Sequence, residues 1–169
     1  KISDKNVIFT QNNFKNFEDK MVKKYTFEFD NTSTKITTIG DIDLKINKKI
    51  KNINILKYNN KSKIYFRDGV LEDWTINFED KTNNSNNFFR TDELNLTGCV
   101  TFVDIEVKNL KIYSKNAKCE DAINFIRSKG DLNKLSINNS KYDSVDFDFS
   151  KIKIMNASII NSGNDCLDF

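Results

Sequence analysis

The 169-residue sequence lacks histidine and proline altogether and contains only five glycines and three cysteines. Without histidine the chain has no Ser/His/Asp triad and no imidazole ligand with which to complete a zinc site. The few glycines leave no glycine-rich loop of the kind that holds phosphate groups. No apolar run approaches the length that a helix needs to cross a membrane, so we predict no membrane span. These absences exclude several common classes of enzyme and membrane protein.

Charged residues are plentiful and nearly balanced, with 27 Lys and Arg against 24 Asp and Glu. The excess of lysine lies in residues 1–63, whereas residues 64–169 are mildly acidic. A nucleic-acid interface needs basic residues gathered on one platform with aromatic side chains beside them. Here the lysines are scattered in pairs among asparagines, which is typical of a solvated face. The sequence therefore predicts no nucleic-acid partner.

A short pattern recurs in the last third of the chain at steps of 22 residues. Each copy has an acid, a small residue, an aliphatic residue, Asp or Asn, and then Phe. The copies are 121–125 (DAINF), 143–147 (DSVDF) and 165–169 (DCLDF). A fixed period of this length is the signature of a solenoid, in which every coil stacks on the preceding one.

Each coil is predicted to contain two short strands. The first carries an apolar pair that begins at Ile42 and Leu44 and recurs at 64/66, 100/102, 123/125, 145/147 and 167/169. The second carries three apolar positions, at 50/53/55, 71/74/76, 107/110/112, 132/135/137 and 154/157/159. The successive intervals between these second strands are 21, 36, 25 and 22 residues. Trp74 falls in the inward register of the second strand and is predicted to lie in the core.

The pattern is that of strands rather than helices. Val145, Phe147 and Phe149 alternate with Asp146 and Asp148, and β-branched or aromatic residues fill the apolar positions. A coil of this length is too short for a pair of helices, and the turns are rich in Asn, Ser, Gly and Asp. We therefore predict an all-β chain that forms a right-handed single-stranded parallel β-helix of roughly five to six coils.

Two parts of the chain depart from the repeat. Residues 1–35 do not fit it and are predicted to form an N-terminal cap or the end of a preceding module, with the β-helix spanning 36–169. The interval of 36 residues has its cause in a polar, Asn-rich insertion at about 79–97, which is predicted to emerge as a loop. Phe88, Phe89 and Arg90 in this loop are candidates to contact a sugar or a partner protein. Alternatively, the two phenylalanines tuck the loop onto the core.

The apolar pattern stops in mid-strand at Phe169, which leaves an unpaired coil. Such an edge normally needs a cap or another chain. We therefore expect either further coils beyond Phe169 or end-to-end self-association.

Cys99, Cys119 and Cys166 form no C-x-x-C pair and are predicted to be small buried apolar residues. The alternative is a disulfide between Cys119 and another cysteine, if the protein is exported. The sequence does not determine the compartment, and an extracellular or cell-surface location is slightly favoured.

Residues 152–167 (IKIMNASIINSGNDCL) resemble the right-handed parallel β-helix of the pectate-lyase-like superfamily, with most similarity to the polygalacturonase pattern over 119–169. That resemblance implies catalytic roles for Asp143 and Asp165, which lie one coil apart. The sequence departs from the pattern at the implied proton donor, where Asn164 stands, and an Asn cannot act as a general acid. The turn before Asp143 is Lys141-Tyr142 rather than Asn-Thr.

The acidic positions admit several interpretations. Asp121, Asp143 and Asp165 occupy one position in three coils, which favours a structural role in accepting backbone N–H groups at a turn. Asn124, Asp146 and Asp168, on the outward side of the first strand, are predicted with Asp121 to bind a ligand, either sugar hydroxyls or a Ca²⁺ ion held by oxygen ligands. We predict a non-catalytic structural, surface, or carbohydrate- or protein-binding module. The alternative is a polysaccharide-active enzyme, a hydrolase, lyase or epimerase relative.

Overall fold

The computed structural model describes residues 7–8, 22–29, 32–83, 90–92 and 95–169, with side chains from Thr34 onward. Within these residues the chain is all β. The strands are β1 (Val7–Ile8), β2 (Val22–Phe29), β3 (Thr32–Ile39), β4 (Ile42–Asn47), β5 (Asn52–Lys57), β6 (Lys63–Arg67), β7 (Val70–Glu72), β8 (Thr75–Asp80), β9 (Gly98–Val103), β10 (Glu106–Lys115), β11 (Asp121–Ile126), β12 (Lys129–Ser140), β13 (Asp143–Asp148), β14 (Lys151–Ile154) and β15 (Ala157–Ser162).

The strands form two sheets whose faces enclose the core. Sheet A has the order β1-β4-β5-β8-β10-β12-β14, with β7 beside β10 and β15 beside β12. Sheet B has the order β13-β11-β9-β6-β3-β2. From β5 and β6 onward every pairing is parallel, because each coil adds one stretch of chain to each sheet. The predicted parallel β-solenoid is thus confirmed, with about four turns spaced by about 23 residues.

The first strands of the chain run antiparallel, which corrects the predicted start of the repeat. Ile42 and Leu44 lie in β4, which pairs antiparallel with β5 in sheet A and not with β6. The position before Phe66 in sheet B is held by Ile36 of β3, again antiparallel. Alternation of apolar residues identifies a strand but carries no information on its direction or partner. The solenoid therefore has fewer coils than the five to six that the sequence predicted.

The register of the parallel coils follows the predicted pattern in sheet B. Ile64, Val100, Ile123 and Val145 are successive register partners, as predicted. In sheet A the intervals of 36 and 22 residues are confirmed. The predicted intervals of 21 and 25 residues were wrong. Ile53 pairs with Ile76 and Ile112 pairs with Leu135, so both intervals are 23 residues.

A ladder of stacked phenylalanines runs along the inner face of sheet B. Its first four rings are buried in the core, and the last, Phe169, is exposed. The ring centroids of Phe66, Phe102, Phe125, Phe147 and Phe169 are separated in turn by 5.1, 4.6, 5.5 and 5.3 Å. These separations are close to the spacing of about 4.8 Å between hydrogen-bonded strands, since each ring stands on the equivalent residue of the next coil. Trp74 is buried in the core, as predicted.

Three large residues assigned to apolar positions are exposed, namely Ile50, Phe149 and Phe169. Ile50 is 67% exposed in the turn before β5, and Phe149 is 90% exposed. Strand β13 ends at Asp148, and Phe149 has a φ of 53°, in the left-handed region. The chain turns there, so the alternation that would have buried Phe149 stops one residue earlier.

Cys99 and Cys119 are buried, as predicted, and they form a disulfide, which is the alternative that the sequence left open for Cys119. The predicted burial was wrong for Cys166. Cys99 lies in β9, and Cys119 precedes β11 of the next coil, where Asp121 is the register partner of Gly98. The stacking of these coils brings the two sulfur atoms together, and this proximity could not be read from the sequence alone. Cys166 is a free, exposed thiol.

Phe102→Ala should destabilise the protein by about 3–5 kcal/mol, because it removes a fully buried ring that stacks on Phe66 and Phe125. Urea unfolding followed by circular dichroism measures this change in the free energy of unfolding. Phe149→Ala is the matched control and should change that free energy by less than about 0.5 kcal/mol. Equal losses for the two variants would contradict the assignment of the core.

Cys119→Ser should lower the free energy of unfolding by about 3 kcal/mol, since it opens the loop of 20 residues between the linked cysteines. Cys166→Ser provides the control and should have little effect. The measurement is urea unfolding of the oxidised proteins, with thiol labelling in denaturant to count free cysteines. A single thiol-reactive site in the wild type is expected, and three would contradict the disulfide.

Candidate functional site

The outer face of sheet B carries a row of polar residues, one from each coil. Tyr65, Thr101, Asn124, Asp146 and Asp168 are successive register partners, and we call them the outer row. They alternate along their strands with the phenylalanines of the core. The row therefore turns its side chains away from the core.

Residues 90–92 and 95–97, near the end of the insertion, cover the beginning of the outer row. The Tyr65 hydroxyl donates to the Asp92 carboxylate, and Asn124 Nδ2 lies 3.1 Å from Thr97 Oγ1. Beside the row, Lys63 Nζ donates to the main-chain oxygen of Leu96 at 2.5 Å. Tyr65, Thr101 and Asn124 are consequently buried, whereas Asp146 is partly exposed and Asp168 exposed. The solvent-accessible members of the outer row are therefore the two carboxylates, Asp146 and Asp168.

Asn124 connects the carboxylates at this point of emergence. Its side-chain amide nitrogen lies 3.2 Å from Asp121 Oδ2, 3.2 Å from Asp146 Oδ2 and 3.3 Å from Asp148 Oδ2. The Asn124 side-chain oxygen is buried and has no hydrogen-bond partner within the described part of the chain. One neutral amide therefore gathers three carboxylates from two neighbouring coils.

The proximity of the carboxylates changes their protonation. The pKa of Asp146 is raised to about 7, first by burial and then by the charges of Asp148, Asp121 and Asp168, while a main-chain hydrogen bond at Phe147 opposes the shift. Burial also raises the pKa of Asp121, while hydrogen bonds from Thr97 and Asn124 oppose that shift. Near neutral pH, Asp146 thus exists as a mixture of the acid and the carboxylate.

Asp143 has the turn-capping role that its place in the repeat suggested. Its Oδ1 accepts the main-chain N–H of Asp165 in the next coil at 2.8 Å and the side-chain amide of Asn164 at 2.7 Å. Asp143 is buried, whereas Asp165 is exposed. Asp121 differs, because its carboxylate interacts with Asn124 and Thr97. The one repeated position is therefore used in different ways in successive coils.

The structure brings some of the predicted site residues together and separates others. Asp121 and Asp146 meet at Asn124, and Asp168 lies next to Asp146. Arg90 is 74% exposed, with its Nε 3.2 Å from Glu120, and its binding role stays a prediction. Phe88 and Phe89 lie outside the described residues.

Asp148 joins the site although sequence reasoning did not select it. Period-two alternation placed it on the same side of β13 as Asp146, and that signal was available. What alternation could not show is that Asn124 of the preceding coil reaches both carboxylates. We call Asp146, Asp148 and Asp168 the acidic patch.

Two wider observations bear on ligands and location. Among the described residues, no group of three or more His, Cys, Asp or Glu side chains is placed to hold a metal ion, and the calcium interpretation stays a prediction. Within the same ranges, the structure contains no helix of the length and apolarity needed to cross a membrane.

Comparison with known proteins identifies no relative of this chain. No protein-family model, no curated protein and no solved structure matches it.

Asp146→Asn should abolish a pH dependence of stability that the wild type shows. The pKa of Asp146 is raised to about 7 in the folded state, whereas an unfolded Asp titrates near about 3.9. Because the folded state binds this proton more tightly, the wild type should lose stability as the pH rises from about 4 to about 7.

The measurement is urea unfolding of both proteins at about pH 4, 6 and 8. The stability of the variant relative to the wild type should increase with pH across this window. Glu72→Gln, which removes a carboxylate from sheet A, serves as the control. A constant difference between Asp146→Asn and the wild type would contradict the raised pKa.

Proposed function

We propose that this chain is a non-catalytic β-solenoid module that binds carbohydrate through the acidic patch beside the insertion. The proposal is carried by one observation. Where the outer row becomes solvent-accessible, its carboxylates cluster around Asp146, and the Asn124 amide contacts Asp146 and Asp148. A flat sheet face with fixed, evenly spaced acceptors suits an extended chain of repeating units. Side chains spaced by the coil repeat provide such acceptors.

The chemistry of the patch favours particular sugars. Ionised carboxylates only accept hydrogen bonds, so they bind hydroxyl or ammonium groups. Their summed negative potential disfavours acidic glycans such as uronates. We therefore propose neutral or amino-sugar polysaccharides as the ligand class.

The environment of Asp143 supports a binding role over the catalytic role that the resemblance implied. Its Oδ1 is occupied by the main-chain N–H of Asp165, which closes a turn. The position of the implied proton donor is held by Asn164, whose amide donates to Asp143 and carries no acidic proton. We propose a relationship to the pectate-lyase-like superfamily at the level of the fold, supported by the parallel solenoid and residues 119–169.

The disulfide supports placing this module outside the reducing interior of the cell. Disulfides persist in oxidising compartments and are rare where glutathione keeps thiols reduced. Cys99 and Cys119 are linked within the solenoid itself, next to the insertion. We therefore propose a role at an extracellular or cell surface.

A second candidate function is favoured by the titration of Asp146. A general acid is most effective when its pKa lies near the operating pH, and the pKa of Asp146 is raised to about 7. Asp146 would donate its proton to the leaving glycosidic oxygen, while a second carboxylate of the patch takes a proton from the water that attacks the anomeric carbon. This alternative makes the chain a glycoside hydrolase that uses Asp146 instead of Asp143 and Asp165.

The binding proposal is tested by calorimetric titration with oligosaccharides of glucose, N-acetylglucosamine, glucosamine and galacturonate. We expect a neutral or amino-sugar oligomer to bind and galacturonate oligomers not to bind. The double variant Asp146→Asn, Asp168→Asn should weaken binding at least about tenfold, or 1.4 kcal/mol, while Glu72→Gln leaves it unchanged. Binding that survives in the double variant would overturn the assignment of the patch.

The enzymatic alternative is distinguished in the same samples by the release of reducing ends. Cleavage that disappears in Asp146→Asn, with a pH profile that falls above about 7, would establish the hydrolase and reject a purely binding role. Binding without any cleavage across the panel would reject the hydrolase.

A further inference from the structure

A second candidate site lies at the corner where the strands of sheet A end. Strands β10, β12 and β15 end there and the chain turns toward sheet B. The turns enclose a groove of about 620 Å³, a volume within the usual range for small-ligand sites. Its walls share no residue with the acidic patch. They include Thr82, Asn116, Lys118, Asn139 and Lys141.

Beneath the groove lies a fully buried ion pair. Lys57 Nζ lies 2.7 Å from Asp80 Oδ2 and 3.2 Å from Thr82 Oγ1, and both charged side chains are shielded from solvent. The Asp80 carboxylate also accepts the main-chain N–H groups of Thr82 at 2.9 Å and Lys118 at 3.1 Å. Asp80, which lines the groove, is thus fully engaged by protein donors.

Lys118 adds a second cation beside this ion pair, and among the described residues no further acid is paired with it. Its Nζ donates to the main-chain oxygen of Thr82, a neutral acceptor. Burial lowers the pKa of Lys57, the Asp80 charge opposes that shift, and the Lys118 charge adds to it. By formal charge Lys57 and Asp80 cancel, which leaves Lys118 as the cation at the groove.

Three asparagines that line the groove form a hydrogen-bonded ladder. Asn161 Nδ2 donates to Asn139 Oδ1 at 2.8 Å, and Asn139 Nδ2 donates to Asn116 Oδ1 at 3.1 Å. All three have left-handed φ values, between 57° and 60°, which hold them in equivalent turns. Hydrogen bonds in a chain polarise one another in a common direction. The donor end is Asn116 Nδ2, which has no acceptor in the described ranges of the chain.

We propose that this groove binds a small oxyanion, through Lys118 Nζ and Asn116 Nδ2 with Lys141 at the rim. A carboxylate, sulfate or phosphate group provides the acceptors and the negative charge that these donors match. Whether the group is free or belongs to an acidic sugar, the chemistry at the groove is the same. The site is independent of the carbohydrate proposal, because it uses other residues and the opposite charge.

The experiment is an NMR titration of the ¹⁵N-labelled protein with sodium phosphate, sodium sulfate, glucuronate and, as the uncharged comparison, glucose. Ionic strength is kept constant with sodium chloride. We expect saturable shifts of the Asn116 and Asn139 side-chain amides with at least one of the anions and none with glucose. Saturation by glucuronate alone would identify an acidic sugar, and saturation by phosphate or sulfate would identify a free anion.

Matched variants test the residues that the proposal names. Lys118→Met should weaken anion binding at least about tenfold, whereas Lys45→Met, an equal change of charge on β4, should leave it unchanged. Asn116→Asp removes the donor but keeps the oxygen that Asn139 uses, and it should also abolish binding. This variant carries the test if Lys118→Met does not fold.

Three results would overturn the proposal. They are the absence of saturation with every anion, equal weakening by Lys118→Met and Lys45→Met, and unchanged binding in Asn116→Asp.

Discussion

In-register parallel pairing between coils determines which side chains of this protein become neighbours. Main-chain hydrogen bonds align each residue with the equivalent residue of the next coil, at the spacing of adjacent strands. For apolar positions this alignment is favourable, and it produces the continuous phenylalanine ladder. For acidic positions it is unfavourable, since it holds like charges within a few ångströms. The core and the candidate site are two consequences of the same constraint.

The protein accommodates its stacked acids in three ways. Asp143 is given a structural task by accepting the N–H of Asp165. Asn124 takes the place of a carboxylate in the outer row, and its two N–H donors are shared among three neighbouring carboxylates. At Asp146, protonation is favoured because burial and neighbouring charges raise its pKa. Only at Asp146 does repulsion between partly exposed carboxylates remain. Carboxylates with a perturbed pKa cluster at functional sites.

Much of the architecture was predictable because the sequence repeats. The spacing of the phenylalanines and of the acidic positions gave the register of sheet B, and the long interval located the insertion. The antiparallel direction of β4 was not predictable, because alternation is the same in either direction. The disulfide likewise required knowing that the start of β9 lies beside the turn before β11.

The candidate sites were less predictable than the fold. Asp146 and Asp168 were identified from the repeat, but the role of Asn124 depends on diagonal contacts between coils that no linear spacing shows. The groove was missed entirely. Its ion pair joins Lys57 and Asp80, which are 23 residues apart, and nothing in their local sequence marks them as partners.

The interval between β8 and β10 shows how much the turns of this solenoid tolerate. Ile76 and Ile112 are register partners although 36 residues separate them, and Ile112 and Leu135, in the next coil, are aligned just as closely at 23. The register is therefore set by the strands and is insensitive to the length of chain that joins them. For protein engineering, the connection that follows β8 is the natural place to graft a foreign epitope or a reporter peptide.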